Sequence, residues 1–219
     1  MEKIYILGVG HATPIFIELA EACGYEVVGL YHYNNSKFGS TDHGYRILGS
    51  FDDLYHSSVQ GKNFVLSMGN MRIKQEVSFR LLSLGAIIPT LVHPSAIISR
   101  FSSINECGVL IGSQCEVHSD SIIGEGCVLW PRSTVEHDCH IHNYVFIGPN
   151  AYVGAYTEIK DNAFIGQCSI LISDKAKLIE ESALVGAGAL VTKPVLANSV
   201  VVGHPARTFV SSNNTDKDM

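Results

Sequence analysis

Between Val117 and Leu171 the hydrophobic pattern repeats every six residues. Val117, Ile123, Leu129, Val135, Ile141, Ile147, Val153, Ile159, Ile165 and Leu171 are all aliphatic. Four residues after each of them the side chain is mostly small, as at Ser121, Cys127, Ser133, Cys139, Val145, Ala151, Thr157, Ala163 and Ser169. Glycine directly follows the aliphatic position at Gly124, Gly148, Gly154 and Gly166. Neither the 3.6-residue period of an α-helix nor the two-residue alternation of an ordinary strand sustains such a repeat. A β-solenoid does, because each hexapeptide supplies one short strand and one turn, and the aliphatic side chain stacks inward on its counterparts. The repeat begins imperfectly at Ile98, Ile104 and Leu110 or Ile111, and it slips after Leu171 through a loop at 173–178. It resumes at Ile179, Val185 and Val191, with Lys193-Pro194 expected to end the coil and Val200–Val202 to form a last strand.

The pattern before Ala96 is different. Residues 3–9 read as a buried strand, 14–23 as an apolar-periodic helix with Thr13 as N-cap before Pro14, and 26–31 as a second strand. A loop over 36–50, a short helix from Asp52, a strand at 63–68, a helix at 71–84 and a strand at 86–92 follow. This predicts a Rossmann-like α/β domain over 1–93, an all-β solenoid over 94–209 and a polar, disordered tail over 210–219. A βαβ opening aims backbone N–H groups and a helix dipole at one spot. The turn holds Gly8-Val9-Gly10 without a third glycine at the dinucleotide spacing, so as a nicotinamide fingerprint it is weak.

Composition narrows the function. A formal charge of −6 argues against nucleic acid as a partner. The chain opens with no signal-like segment, and no apolar run reaches about 18 residues, so a cytoplasmic protein without a membrane partner is expected. The six cysteines form no Cys-x-x-Cys, and Cys115, Cys127 and Cys139 fall on repeat positions, as small buried hydrophobes would. His140 and His142 lie in the same turn as His137, but on diverging side chains with no thiolate or carboxylate to complete a set, so no metal is expected.

Within the repeat stands Val135-Glu136-His137-Asp138-Cys139. With this run, the glycine-containing first turn, Gly69-Asn70, His93-Pro94-Ser95-Ala96 and Gly203-His204-Pro205-Ala206-Arg207, nearly the whole chain resembles one family. It is similar to the hexapeptide-repeat acyltransferases, in the group that includes the bacillosamine-pathway N-acetyltransferase and the sialic acid O-acetyltransferase. The resemblance implies a left-handed parallel β-helix, acetyl-CoA as acyl donor, and a homotrimer with active sites between subunits. It implies a nucleotide-linked amino sugar as acceptor, acetylated on an amine (the C4 amine above all) in surface-glycan biosynthesis. The alternatives are O-acetylation of a free sialic acid and a solenoid module without catalysis.

Acyl transfer needs a group to take the proton of the nucleophile, and an imidazole held by a carboxylate suits that task. His137 is the expected general base. By resemblance its partner is Asp138; on local grounds Glu136 is the rival, since neighbouring strand residues face opposite ways unless a corner turns them together. The resemblance places Gly10, His11, Tyr31, His32, Asn34, Gly69, Asn70 and Trp130 at the sugar-nucleotide site. It places Phe146, Ala155, Gly166, Gln167, Gly186 and Ala187 along the pantetheine arm. The chain departs from the family pattern at Phe146, where a histidine is usual, at Trp130-Pro131, where Asn-Thr is usual, and at Tyr31–Asn35, which lacks the usual acidic residue.

Overall fold

The computed structural model describes residues 1–209, so the tail reading falls outside the described residues. The first lobe comprises β1 (Glu2–Leu7), α1 (Thr13–Ala22), β2 (Tyr25–His32), β3 (Thr41–Asp42), β4 (Tyr45–Ser50), α2 (Phe51–Tyr55), β5 (Asn63–Leu66) and α3 (Met71–Ser83). Its sheet runs β3-β4-β2-β1-β5, with β1 parallel to β2 and β5, β2 parallel to β4, and β3 antiparallel to β4. Ile4 and Ile6 point to one side of the sheet and pack against Phe16 and Ile17 of α1; Leu7 and Phe64 pack with Val77 and Leu81 of α3 on the other. Among the described residues no helix is long and apolar enough to cross a membrane.

Three local expectations change. Residues 36–50 contain β3 and β4 rather than a loop alone. The run Tyr45–Gly49 is short and interrupted by Arg46, but pairing beside Leu30 of β2 buries Ile47. Thr13 does not cap α1: Ala12 occupies that place, while the Thr13 hydroxyl accepts from the Gly10 N–H at 2.7 Å and fixes the glycine turn. Residues 86–92 are not one strand. Ile87 bridges to Asn63 of the first sheet, Pro89 can donate nothing to a ladder, and Leu91–Val92 already pairs with Leu110–Ile111 of the second lobe.

The second lobe is a parallel β-helix built mostly from two-residue strands in three sheets of six, five and eight strands, the last ended by Val200–Val202 and an antiparallel Arg207–Thr208. Thr134–Val135 pairs in parallel with Glu116–Val117 on one side and Tyr152–Val153 on the other, and this stacking repeats on every face. The aliphatic repeat positions and the small residues four places on form a single buried core. The phase slip after Leu171 is a turn that delays the next strand to Leu178–Ile179. Lys193-Pro194 does not end the coil, because Val195 pairs with Ile179 and Val195 and Val201 both join the core.

Successive turns stack into three corners. The first carries Glu136-His137-Asp138 above Gly154-Ala155-Tyr156; the second carries His142-Asn143-Tyr144 above Lys160-Asp161-Asn162; the third carries Gly148-Pro149-Asn150, Gly166-Gln167-Cys168 and Gly186-Ala187-Gly188. The lobes are joined by apolar packing, with Leu110, Val128, Tyr144, Trp130 and Phe146 of the helix meeting Phe16 and the first-lobe core. Lys74 of α3 is fully buried there, its Nζ donating to Gly126 O at 2.9 Å and Gly108 O at 3.3 Å.

Candidate active site

The corner at 136–138 resolves the choice of partner for His137 in geometric terms. Asp138 has φ +55°, the left-handed conformation that aspartate tolerates better than most residues. That turn brings two adjacent side chains to the same side, and His137 Nδ1 lies 2.8 Å from Asp138 Oδ2. Glu136 faces away and accepts from Tyr152 OH at 2.9 Å, with His118 Nδ1 at 3.6 Å. Tyr156, one coil on, sets its ring edge to face against the imidazole, with centroids 5.2 Å apart. The Nδ1–Asp138 contact favours the tautomer that leaves Nε2 unprotonated, and the His137 side chain is 43% exposed, so this nitrogen can accept a proton from a group bound beside it.

The expected pantetheine residues divide between two corners. Phe146, Gly166, Gln167, Gly186 and Ala187 line one groove of about 340 Å³ with Trp130, Phe164 and Leu184. The rings of Phe146 and Phe164 stack 4.5 Å apart and 4° from parallel, which makes one wall of the groove flat and apolar. Its other wall is corner backbone, and a Cβ on Gly166 would stand 2.6 Å from Ala187 N. Apolar walls beside backbone amides fit the alternating methylenes and amides of a pantetheine arm. Ala155 lies elsewhere, in the turn stacked on that of His137, with its N–H donating to Ser173 Oγ.

The nucleotide-site candidates gather at the carboxyl ends of β1, β2 and β5, but not all have free side chains. His32 is buried and its Nδ1 engages Asn34, whose Oδ1 accepts from Ser36 N and Oγ to start a 3-10 turn at Asn35–Lys37. Tyr31 packs on Tyr5 inside the lobe, and burial pushes its phenol above the ordinary value. Asn70 caps α3 through Ile73 N. Gly10 and His11 are exposed. Gly69 and Asn70 line a cleft of about 400 Å³ with Arg72, Asn162, Ser182 and Asn198, and Phe164 and Leu184 are shared by this cleft and the groove. The cleft therefore runs into the groove.

Tyr33, in the Tyr31–Asn35 run, is 69% exposed with its ring against His32. Two further aromatic residues were outside the sequence reading: Phe164 doubles Phe146, and Tyr156 sets its ring against His137. Their one sequence signal is aromatic character at outward or corner positions of the repeat. Trp130 sits between the groove and a second hollow of about 200 Å³ under α1, in edge contact with Phe16. The reading of His140 and His142 needs correction, since the next coil does bring a carboxylate: His142 Nε2 lies 2.8 Å from Glu158 Oε1.

Comparison with known proteins agrees with this layout. Residues 3–81 match the PglD N-terminal domain, and residues 138–173 match the bacterial transferase hexapeptide (six repeats). GDP-perosamine N-acetyltransferase of Escherichia coli O157:H7 is 29% identical over 157 residues, which is 69% of each chain. The acetyltransferase domain of PglB from Neisseria gonorrhoeae FA1090, solved with acetyl coenzyme A, superposes with a TM-score of 0.85 at 25% identity, over 95% of this chain and 99% of that one. A perosamine N-acetyltransferase variant from Caulobacter crescentus, with CoA and GDP-perosamine bound, reaches 0.87 over 96% and 98% of the two chains; at 22% identity that likeness is one of fold. With its α/β lobe and its repeat lobe each matched by a family model, and a sugar N-acetyltransferase as a relative, the chain fits the hexapeptide-repeat sugar acetyltransferase family.

Proposed function

We propose that the protein transfers the acetyl group of acetyl-CoA to the amine of a nucleotide-linked amino sugar. The observation that carries this reading is the His137–Asp138 pair at a solenoid corner, in a chain whose relative acts as a GDP-perosamine N-acetyltransferase. Acetyl-CoA supplies an activated acyl carbon and a thiol leaving group. As the amine nitrogen bonds to that carbon and the C–S bond breaks, His137 Nε2 accepts the proton the nitrogen loses, and Asp138 stabilises the imidazolium. The proton is then available to the departing thiolate, so atoms and charge balance. Val9 and His11, in the turn before α1, and Gly69-Asn70, at the N-terminus of α3, offer backbone N–H groups suited to a diphosphate, while those of Gly8 and Gly10 hold the turn through Tyr31 O and Thr13 Oγ1.

The working unit in this reading is a homotrimer. His137 stands on the first corner and the Phe146–Ala187 groove on another corner of the same coils, so one chain keeps its base and its groove apart. A neighbouring copy that sets its first corner against the groove brings them together, and Ala155 then joins the pantetheine contacts from the His137 side. All six cysteines are unpaired, in keeping with a reducing compartment, which supports a cytoplasmic location.

The test is thiol release from acetyl-CoA with GDP-perosamine, UDP- and dTDP-linked 4-amino and 3-amino sugars, and free sialic acids. Turnover with a nucleotide-linked amino sugar that falls about 10²–10⁴-fold in His137→Ala is expected. Turnover confined to free sialic acids, or an unaffected His137→Ala, overturns the reading. Equilibrium sedimentation checks the trimer, and a monomer that retains full activity excludes a shared site.

A further inference from the structure

A second cluster of ligating side chains lies on the face between the first and second corners. His140 and Glu158 are outward-facing partners in adjacent parallel strands, and His142 follows at the edge of the same face. The two imidazoles stack with centroids 4.0 Å apart and planes 18° from parallel. One ligand atom from each of His140, His142 and Glu158 lies within 4.8 Å of the other two. A cation already stands against this group: Lys160 Nζ is 2.5 Å from Glu158 Oε1 and 3.4 Å from His142 Nε2.

We propose that His140, His142 and Glu158 form a binding site for a divalent transition-metal ion, with Lys160 as an internal competitor that the ion displaces. Two imidazole nitrogens and one carboxylate oxygen are a donor set suited to zinc, cobalt or nickel, and three protein ligands leave a position open. The strands that carry the donors are held by the parallel ladder, whereas the side chains lie at the surface, where rotation can close the remaining gap. Lys160 has a flexible stem and a side chain 38% exposed, so its ammonium can leave for water. The site ties together the coils of residues 140 and 158 and stands independently of the acetyl-transfer reading, because neither imidazole touches His137 or the groove.

The opposing idea is that the Lys160 ammonium satisfies the cluster and no ion enters. Untagged full-length protein, cleared with a chelator and titrated with zinc chloride by calorimetry, separates the two. One ion per chain is expected, with affinity at least about tenfold weaker in His142→Ala and in His140→Ala. Lys160→Met, which removes the competitor and keeps the stem, tightens binding several-fold, and His137→Ala leaves it unchanged. Cobalt substitution gives visible absorption bands that disappear in His142→Ala, and zinc raises the melting temperature of the wild type but not of that variant. Failure of both the wild type and Lys160→Met to bind zinc stoichiometrically overturns the proposal. So does binding that survives both histidine substitutions.

Discussion

At the scale of single residues, the site depends on how a corner turns the chain. His137 and Asp138 are neighbours in sequence, and in an extended strand they would face opposite sides. The left-handed φ of Asp138 folds them together. Asp138→Asn keeps a side chain at home in that conformation and removes the charge that favours the imidazolium. A hydrogen bond to a charged group contributes roughly 1.5–3 kcal/mol, or about 10- to 150-fold in rate. The expected outcome is a folded protein with the wild-type melting temperature and kcat reduced within that range, measured by thiol release. An equal fall in His137→Ala and Asp138→Asn would mean that the carboxylate does more than orient. The pair was legible in the sequence because its members are adjacent in a recognisable run. Tyr156 was not, because only coil stacking brings it to His137 from the following turn.

At the scale of the element, the corners use glycine for two separate reasons. A Cβ on Gly154 would stand 2.4 Å from Leu171 O and 2.5 Å from Ser173 N, so the next coil's backbone excludes any side chain. Gly188 has open space around it but φ +66°. Gly154→Ala is therefore an overpacking change that costs about 1–3 kcal/mol, and Gly188→Ala is a conformational one that costs about 1–2 kcal/mol. Thermal melts separate the mechanisms, since Gly188→Asn should recover most of the loss and Gly154→Asn should be worse than Gly154→Ala. The hexad itself was legible because one inward residue per strand imposes a strict period on the sequence. Where tertiary pairing decides, the sequence was silent. Strand β4 forms because β2 offers an edge to Ile47, and residues 86–92 divide because Ile87 and Leu91 pair with different lobes.

At the scale of the whole molecule, the proposed transfer needs the cleft at Gly69-Asn70 held in line with the groove at Phe164 and Leu184, so in that reading the seam between the lobes must not slide. Much of that seam is apolar, but Lys74 is an exception that sequence could not flag, since a lysine on α3 reads as a solvated one. It is fully buried, with carbonyl oxygens of Gly108 and Gly126 as its partners and no carboxylate among the causes acting on it. Burial pulls its ammonium down to about 7, from an ordinary 10.5. The sign of the pH dependence follows from proton counting. Between about 7 and 10.5 the unfolded chain keeps this proton and the folded chain has lost it, so the Lys74 contribution to stability rises as pH rises through that window. Below about 7 both states hold the proton, and the full cost of a buried charge is present. Lys74→Met removes the titration, and with it the donor to two carbonyls, so its stability relative to the wild type combines a pH-independent loss with a pH-dependent gain. Denaturant titrations at pH 6.5, 8 and 9.5 should therefore show the variant most favoured at the lowest pH and steadily less so as pH climbs. A difference that is flat with pH would mean that Lys74 titrates alike in the folded and unfolded chains, and that the seam holds its charge at no cost.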